Sequence, residues 1–161
     1  MLKIGATQHY HHPLQNNMIH LQELSKTHEV ISKAKTETWH RILTHYLPLY
    51  FPEATHFQGK SRRTWFINFL YHFPTASSIS ELSKDDFIQA ARTIVGRKVS
   101  KQRILGDIYE MVKVSVGLPV SLDSPSIKMF QLVLQEALNL IKQRETIEDQ
   151  AEILLKENKD Y

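Results

Sequence analysis

The chain has 161 residues, 42% hydrophobic and 23% charged, which suits one domain with a real core or one elongated helical unit. It has no cysteine, which excludes disulfides, thiolate zinc sites and cysteine nucleophiles, and no apolar run approaches the roughly 20 residues of a membrane helix. The formal charge is only +3, but it is unevenly spread, with a basic centre and an acidic tail.

In chain order, residues 1–13 have no clear period and read as a connector. They hold His9, His11 and His12, with no acidic residue before Glu23. One lysine and no apolar stretch at the N-terminus give no signal peptide, so a cytoplasmic protein is expected.

From Leu14 a helical period begins. Leu14, Met18, Leu21, Leu24, His28, Ile31, Ala34, Thr38, Ile42 and Tyr46 recur at spacings of three and four, without Gly or Pro until Pro48. The predicted helix, 14–47, is about 34 residues, on the order of 50 Å. Such a length points to a coiled coil or a hairpin arm.

"LPLYFPEA" breaks this helix with Pro48 and Pro52 and opens an insert, 48–123. "SRRTWFINFLYHF" carries an apolar face of Trp65, Phe66, Phe69, Leu70 and Phe73, ended by Pro74. Two capping signals follow, Ser78 with Glu81 and Ser83 with Asp86, and Gly96 ends the helix they open. Ser100 is read as the next cap, for a helix running through Val116 until Gly117 and Pro119. Three or four short helices would close a small core around Trp65, Phe69, Phe87, Ile94, Ile104 and Ile108. Only "LPVSL" gives any strand signal.

Ser124 before Pro125 is a helix start, a side-chain cap followed by the residue that tolerates a first turn. The predicted second long helix, 124–158, keeps a similar spacing through Ile127, Phe130, Leu134, Ala137, Ile141, Arg144, Ile147, Ala151 and Leu154. The expected fold is all-α: two long antiparallel, coiled-coil-like helices with an inserted small helical bundle. Leu21, Leu24, Ile31, Ile42, Phe130, Leu134, Ile141 and Leu154 would form the seam, within one chain or between two, with His28 and Arg144 at its margins. A homodimer through the long helices is expected.

No hydrolase or phosphate-loop motif is present, and 5 glycines leave little room for a phosphate cradle. The histidines lack metal-site spacing: His40 and His45 are five apart, His20 and His28 eight apart. No metal, cofactor or catalytic residue is therefore expected in this chain. Asp85 and Asp86 sit where a helix dipole favours negative charge, and capping accounts for them.

The strongest interaction candidate is "VGRKVSKQRILGDIY". Between Phe87 and Gly106 there is no acidic residue, but there are Arg92, Arg97, Lys98, Lys101 and Arg103. With Lys60, Arg62 and Arg63 of "GKSRRTW", this group fits a polyanion such as DNA or RNA. A solvated helix face explains the same residues equally well. Trp65 could stack on a base but suits a core position better.

The segments "LQELSKTHEVISKAKTETWHRILTHYLPLYFPEA", "ELSKDDFIQAARTIVGRKVSK", "VSVGLPVSLDSPSIKMFQLVLQEALNLI" and "IEDQAEILLKENKDY" occur in this order. Together they resemble the central region of insertion-sequence transposases with an Asp-Glu-Asp-Asp, RuvC-like nuclease core, the bridge-RNA-guided recombinases. The resemblance spans nearly the whole chain. It implies a helical middle region lying between a nuclease domain and a small domain with a catalytic serine. "MLKIGATQHY" resembles the segment after the last acidic residue of the tetrad, and "ENKDY" the segment before the serine domain. No position here matches the tetrad or the serine, so the divalent metal is implied only for the missing nuclease domain. The resemblance implies a non-catalytic scaffold and dimerisation fragment of a DNA transposase, with DNA and guide RNA as partners and no membrane. The alternative is an autonomous DNA- or RNA-binding regulator derived from such a transposase.

Overall fold

A chain stretch without glycine or internal proline folds as one long helix, α1 (Pro13–Arg41). Helical backbone does not stop at Pro48. Ile42–Tyr46 winds as a single π turn, closed by the Leu47 N–H donating to the Ile42 carbonyl, and α2 (Leu47–Tyr50) follows directly. The expected break at Pro48 is thus corrected to a wide turn. A proline inside a helix clashes with the carbonyl four residues back and leaves it without a donor. A π turn just before Pro48 widens the helix where the ring would otherwise meet that carbonyl. The true stop is Phe51, at φ −153°, ψ 64°, because Pro52 drives its predecessor out of the helical region. A 3₁₀ segment, Pro52–Phe57, begins there.

The computed structural model describes residues 13–57, 63–96 and 99–159. The remaining elements are α3 (Arg63–His72), α4 (Ala76–Ser80), α5 (Lys84–Val95), α6 (Val99–Val112) and α7 (Pro125–Lys159). All are helical, and no strand occurs among the described residues, so the all-α class holds.

Three of the helix starts use a hydroxyl cap. Ser83 accepts from the Asp86 N–H at 3.2 Å, and Ser124 accepts from the Ile127 N–H at 3.3 Å, both as the sequence suggests. Ser78 does not cap a helix. Thr75 accepts its N–H at 3.1 Å, while the Ser78 hydroxyl turns back to the Thr75 carbonyl at 2.6 Å. Thr75 is extended, as N-cap residues are, and takes the cap three residues earlier. Ser100 is likewise inside α6, which starts at Val99. That helix ends at Val112, before the expected Val116, and Gly96 at φ 93° ends α5 as expected.

The described residues fall into two units, 35–139 and the helical segments drawn from 1–34 and 140–161. The first reaches further along both long helices than the 48–123 insert read from the sequence. The reason is aromatic packing. Tyr46 of the π turn stacks on Phe130 of α7 with ring centres 4.9 Å apart and planes 7° from parallel, and Tyr50 lies on the same ring at 6.2 Å. Ile42, Leu47, Phe51, Ile127 and Leu134 are fully buried with them. Each such side chain removed from water stabilises the fold by about 1.5–3 kcal/mol.

The rest of this core is a chain of rings. Phe69 meets Phe73 at 5.3 Å and Phe87 at 6.0 Å, and Phe87 stacks on Tyr109 at 5.8 Å. The Tyr109 hydroxyl donates to the Leu82 carbonyl at 2.8 Å, so its polar end is satisfied. Phe66, Leu70, Ile79, Leu105 and Ile108 complete it. Of the expected core, Phe69, Phe87 and Ile108 are buried. Trp65, Ile94 and Ile104 are only half-buried, and Phe66, Val95 and Leu105 take the inner positions. Each of these three lies one residue along a helix, a rotation of about 100°.

Candidate interaction surfaces

In the unit drawn from the two chain ends, the expected seam residues Leu21, Leu24, Ile31 and Leu154 are half-buried, and Ile141 is buried. Ile42, Phe130 and Leu134 belong to the other unit and are fully buried there. So one expected seam is divided between a closed core and a half-covered pair of helical segments. That pair has a groove of about 310 Å³, lined by Leu21, Leu24, Ser25, His28, Ile147, Glu148 and Ala151. Met18, Ile19, Val30, Ile153 and Leu155 are exposed on the same segments.

One polar cluster interrupts the apolar lining. Glu148 Oε1 accepts from His28 Nε2 at 3.1 Å and pairs with Arg144 Nε at 3.0 Å, and the two nitrogens are 3.2 Å apart. A single ring nitrogen cannot both donate to the carboxylate and accept from the guanidinium. The tautomer with hydrogen on Nε2 lets both nitrogens donate to the same oxygen. The hydrogen bond from His28, with Arg144 beside it, holds the Glu148 carboxyl below its ordinary range against a smaller opposing effect of burial. The sequence placed His28 and Arg144 at the seam margin but did not single out Glu148. The i,i+4 spacing of Arg144 and Glu148 on α7 was the available signal.

The basic residues expected to contact nucleic acid are distributed as follows. Lys60, Arg62, Arg97 and Lys98 lie outside the described residues. Arg63 is the first residue of α3 and Lys101 falls in the first turn of α6. Arg103, on α6, is exposed. The cluster His9, His11 and His12 also lies outside the described residues. Among the described residues, no group of three His, Asp or Glu side chains is placed to hold a metal ion. No helix there is long and apolar enough to cross a membrane.

A second surface is the segment after α6. Glu53 grips it with both carboxylate oxygens: the Ser115 hydroxyl donates to one at 2.7 Å, and the Val116 N–H donates to the other at 3.1 Å. The Leu118 N–H donates to the Leu49 carbonyl at 2.8 Å. Held this way, the segment leaves Val114 and Val116 exposed at 79% and 85%. A cavity of about 450 Å³ lies beside it, lined by Thr75, Ser77, Ser78, Glu81 and residues 119–122. Its Thr75 and Ser78 hydroxyls are engaged in the α4 cap.

No protein-family model matches the chain, and comparison with the curated proteins and with the solved structures finds no match.

Proposed function

We propose that this chain is a non-catalytic helical scaffold and dimerisation module of a DNA transposase, serving DNA transposition and recombination. In this reading the segments of α1 and α7 pair antiparallel in the manner of a coiled coil, with the short helices as an insert between them. The basic residues Lys60, Arg62, Arg63, Arg97, Lys98, Lys101 and Arg103 supply auxiliary contacts to DNA and guide RNA. Strand cleavage, with its metal, belongs to other parts of the parent protein, and the module works in the cytoplasm.

The observation that carries the reading is the half-covered apolar seam. Leu21, Leu24, Ile31, Ile147 and Leu154 are each only half-buried, while Met18, Val30 and Ile153 are exposed at 55%, 65% and 50%. Two helices alone cannot surround a stripe that runs along both, whereas two copies of the pair form a four-helix arrangement that can. The paired segments are about 30 Å long, which gives two copies contact on the scale of a specific interface. The resemblance of the quoted segments to the transposase middle region supports the same assignment.

Light scattering on the full chain across a concentration series tests this. A dimer is expected, weakened at least tenfold by Leu24→Asp. A strict monomer at high micromolar concentration would overturn the reading.

The second reading, an autonomous nucleic-acid-binding regulator, is favoured by the basic stretch from Arg92 to Arg103 and the sequence pI of about 9.1.

A further inference from the structure

Within the apolar groove of the helix pair, His28 and Glu148 are the only ionisable residues of the lining, and they meet each other. Leucine and isoleucine packing is tolerant of sliding, because one aliphatic side chain substitutes for another at low cost. A single polar pair in such a seam is not tolerant. It has one partner in one register, and any other register leaves the His28 side chain, 33% exposed here, among aliphatic groups without that partner.

We infer that the His28–Glu148 cross-link, braced by Arg144, fixes the register in which these two helical segments pair. The inference rests on the reading of the pair as an antiparallel assembly element. Sliding the segments by one turn in one direction sets His28 against Arg144 and Glu148 against Leu24, so two donors meet and the carboxylate faces an aliphatic group. Sliding the other way sets His28 against Glu152. That residue has Glu148, not an arginine, four places before it, and its own partner is Lys156 at 3.3 Å. Only the observed register puts one carboxylate between the imidazole and the guanidinium, at 3.1 and 3.0 Å.

The chain has no cysteine, so spin labels can be placed uniquely. Gln22→Cys and Gln150→Cys put labels on exposed positions of the two segments. Double electron–electron resonance on labelled chains diluted with unlabelled full-length chains reads the distance within one chain. A single narrow distance is expected for the parent protein. In His28→Leu/Glu148→Leu it should broaden or shift, because a slip of one helical turn carries one label about 5 Å along the helix axis past the other. His28→Gln/Glu148→Gln should do the same, which guards against a misfolded leucine variant. His28→Glu/Glu148→His, which restores the cross-link with its ends exchanged, should return the narrow distance. An unchanged narrow distance in both neutralised variants would overturn the inference. The mass of the same samples separates this from the assembly reading. A monomer showing the expected broadening keeps the register role and removes dimerisation. A dimer with unaltered distances keeps dimerisation and removes the register role.

Discussion

A Cβ atom on Gly117 would lie 2.6 Å from the carbonyl oxygen of Tyr50. Backbone atoms cannot swing aside as a side-chain end can, so even one methyl group forces the segment after α6 off the end of α2. The glycine is required here by close approach. Gly117→Ala is therefore expected to destabilise unit 35–139 by about 1–3 kcal/mol, read as a lower denaturation midpoint with an unchanged slope. Gly106→Ala is the control, because nothing stands within 4 Å of its Cβ position. A helical glycine with open space should gain about 0.5–1 kcal/mol on this change.

Glu53 holds the same segment through both of its oxygens. Glu53→Ala removes both acceptors and leaves the Ser115 hydroxyl and the Val116 N–H without this partner. The expected cost is about 1–2 kcal/mol in chemical denaturation. Hydrogen exchange at the Val116 and Leu118 amides should accelerate well beyond what global stability predicts. Unaltered exchange at Val116 would show that the grip is not what orders this segment.

Phe130 is the ring on which Tyr46 and Tyr50 both lie. It is fully buried, and its truncation leaves a void lined by rings that cannot all close in. Phe130→Ala should cost about 3–5 kcal/mol and abolish near-ultraviolet circular dichroism from the stacked tyrosines. Leu155→Ala, at an exposed position of the same helix, should cost under about 0.5 kcal/mol.

Glu148 gives the helix pair an acid limit. Its carboxyl is held below the ordinary value of 4.5 chiefly by the hydrogen bond from His28, with Arg144 adding to it. A depressed carboxyl contributes stability that is complete above the unfolded-state value and is lost as pH falls through the folded-state value. Thermal unfolding from pH 7 to pH 3 should therefore show a loss below about pH 4.5 that Glu148→Gln removes. Glu110, in unit 35–139, is also lowered, by Lys84 and Lys113, so the difference between parent and variant is the informative quantity.

Nucleic-acid binding by the basic stretch predicts a steep salt dependence. Each phosphate that a variant no longer neutralises makes log K fall less steeply with log salt, by about 0.9 on duplex DNA and about 0.7 on single strands. Reversing Arg97, Lys98, Lys101 and Arg103 to glutamate should flatten the slope and weaken binding of random-sequence DNA and RNA. Binding that is unchanged by the four substitutions would remove this group as the nucleic-acid surface.

Helix content, the long terminal helices and the caps at Ser83 and Ser124 are local properties, and they were legible in residue spacing and side-chain type. The misread details are finer than the rule that predicted them, and some also depend on a neighbour in space. Pro48 stays helical because a π turn accommodates its ring, with Tyr46 and Leu47 buried around it. Thr75 rather than Ser78 caps α4 because the helix already begins at Ala76, with Thr75 the extended residue before it. Trp65 yields the inner position to Phe66, which carries the more completely buried ring.

The sequence by itself determined that this protein is helical, because period, caps and the absence of β patterning act within a few residues. It also marked where the aromatics are: every Phe and Trp falls between Trp39 and Phe130. Only the tertiary structure decided that this aromatic stretch draws in the inner ends of both long helices, through the stack of Tyr46 on Phe130. Only it brought His28 to Glu148, 120 positions away along the chain. Sequence periodicity says which residues share a face. It does not say which residue of one face stands opposite which residue of another, because that depends on packing summed over the whole contact.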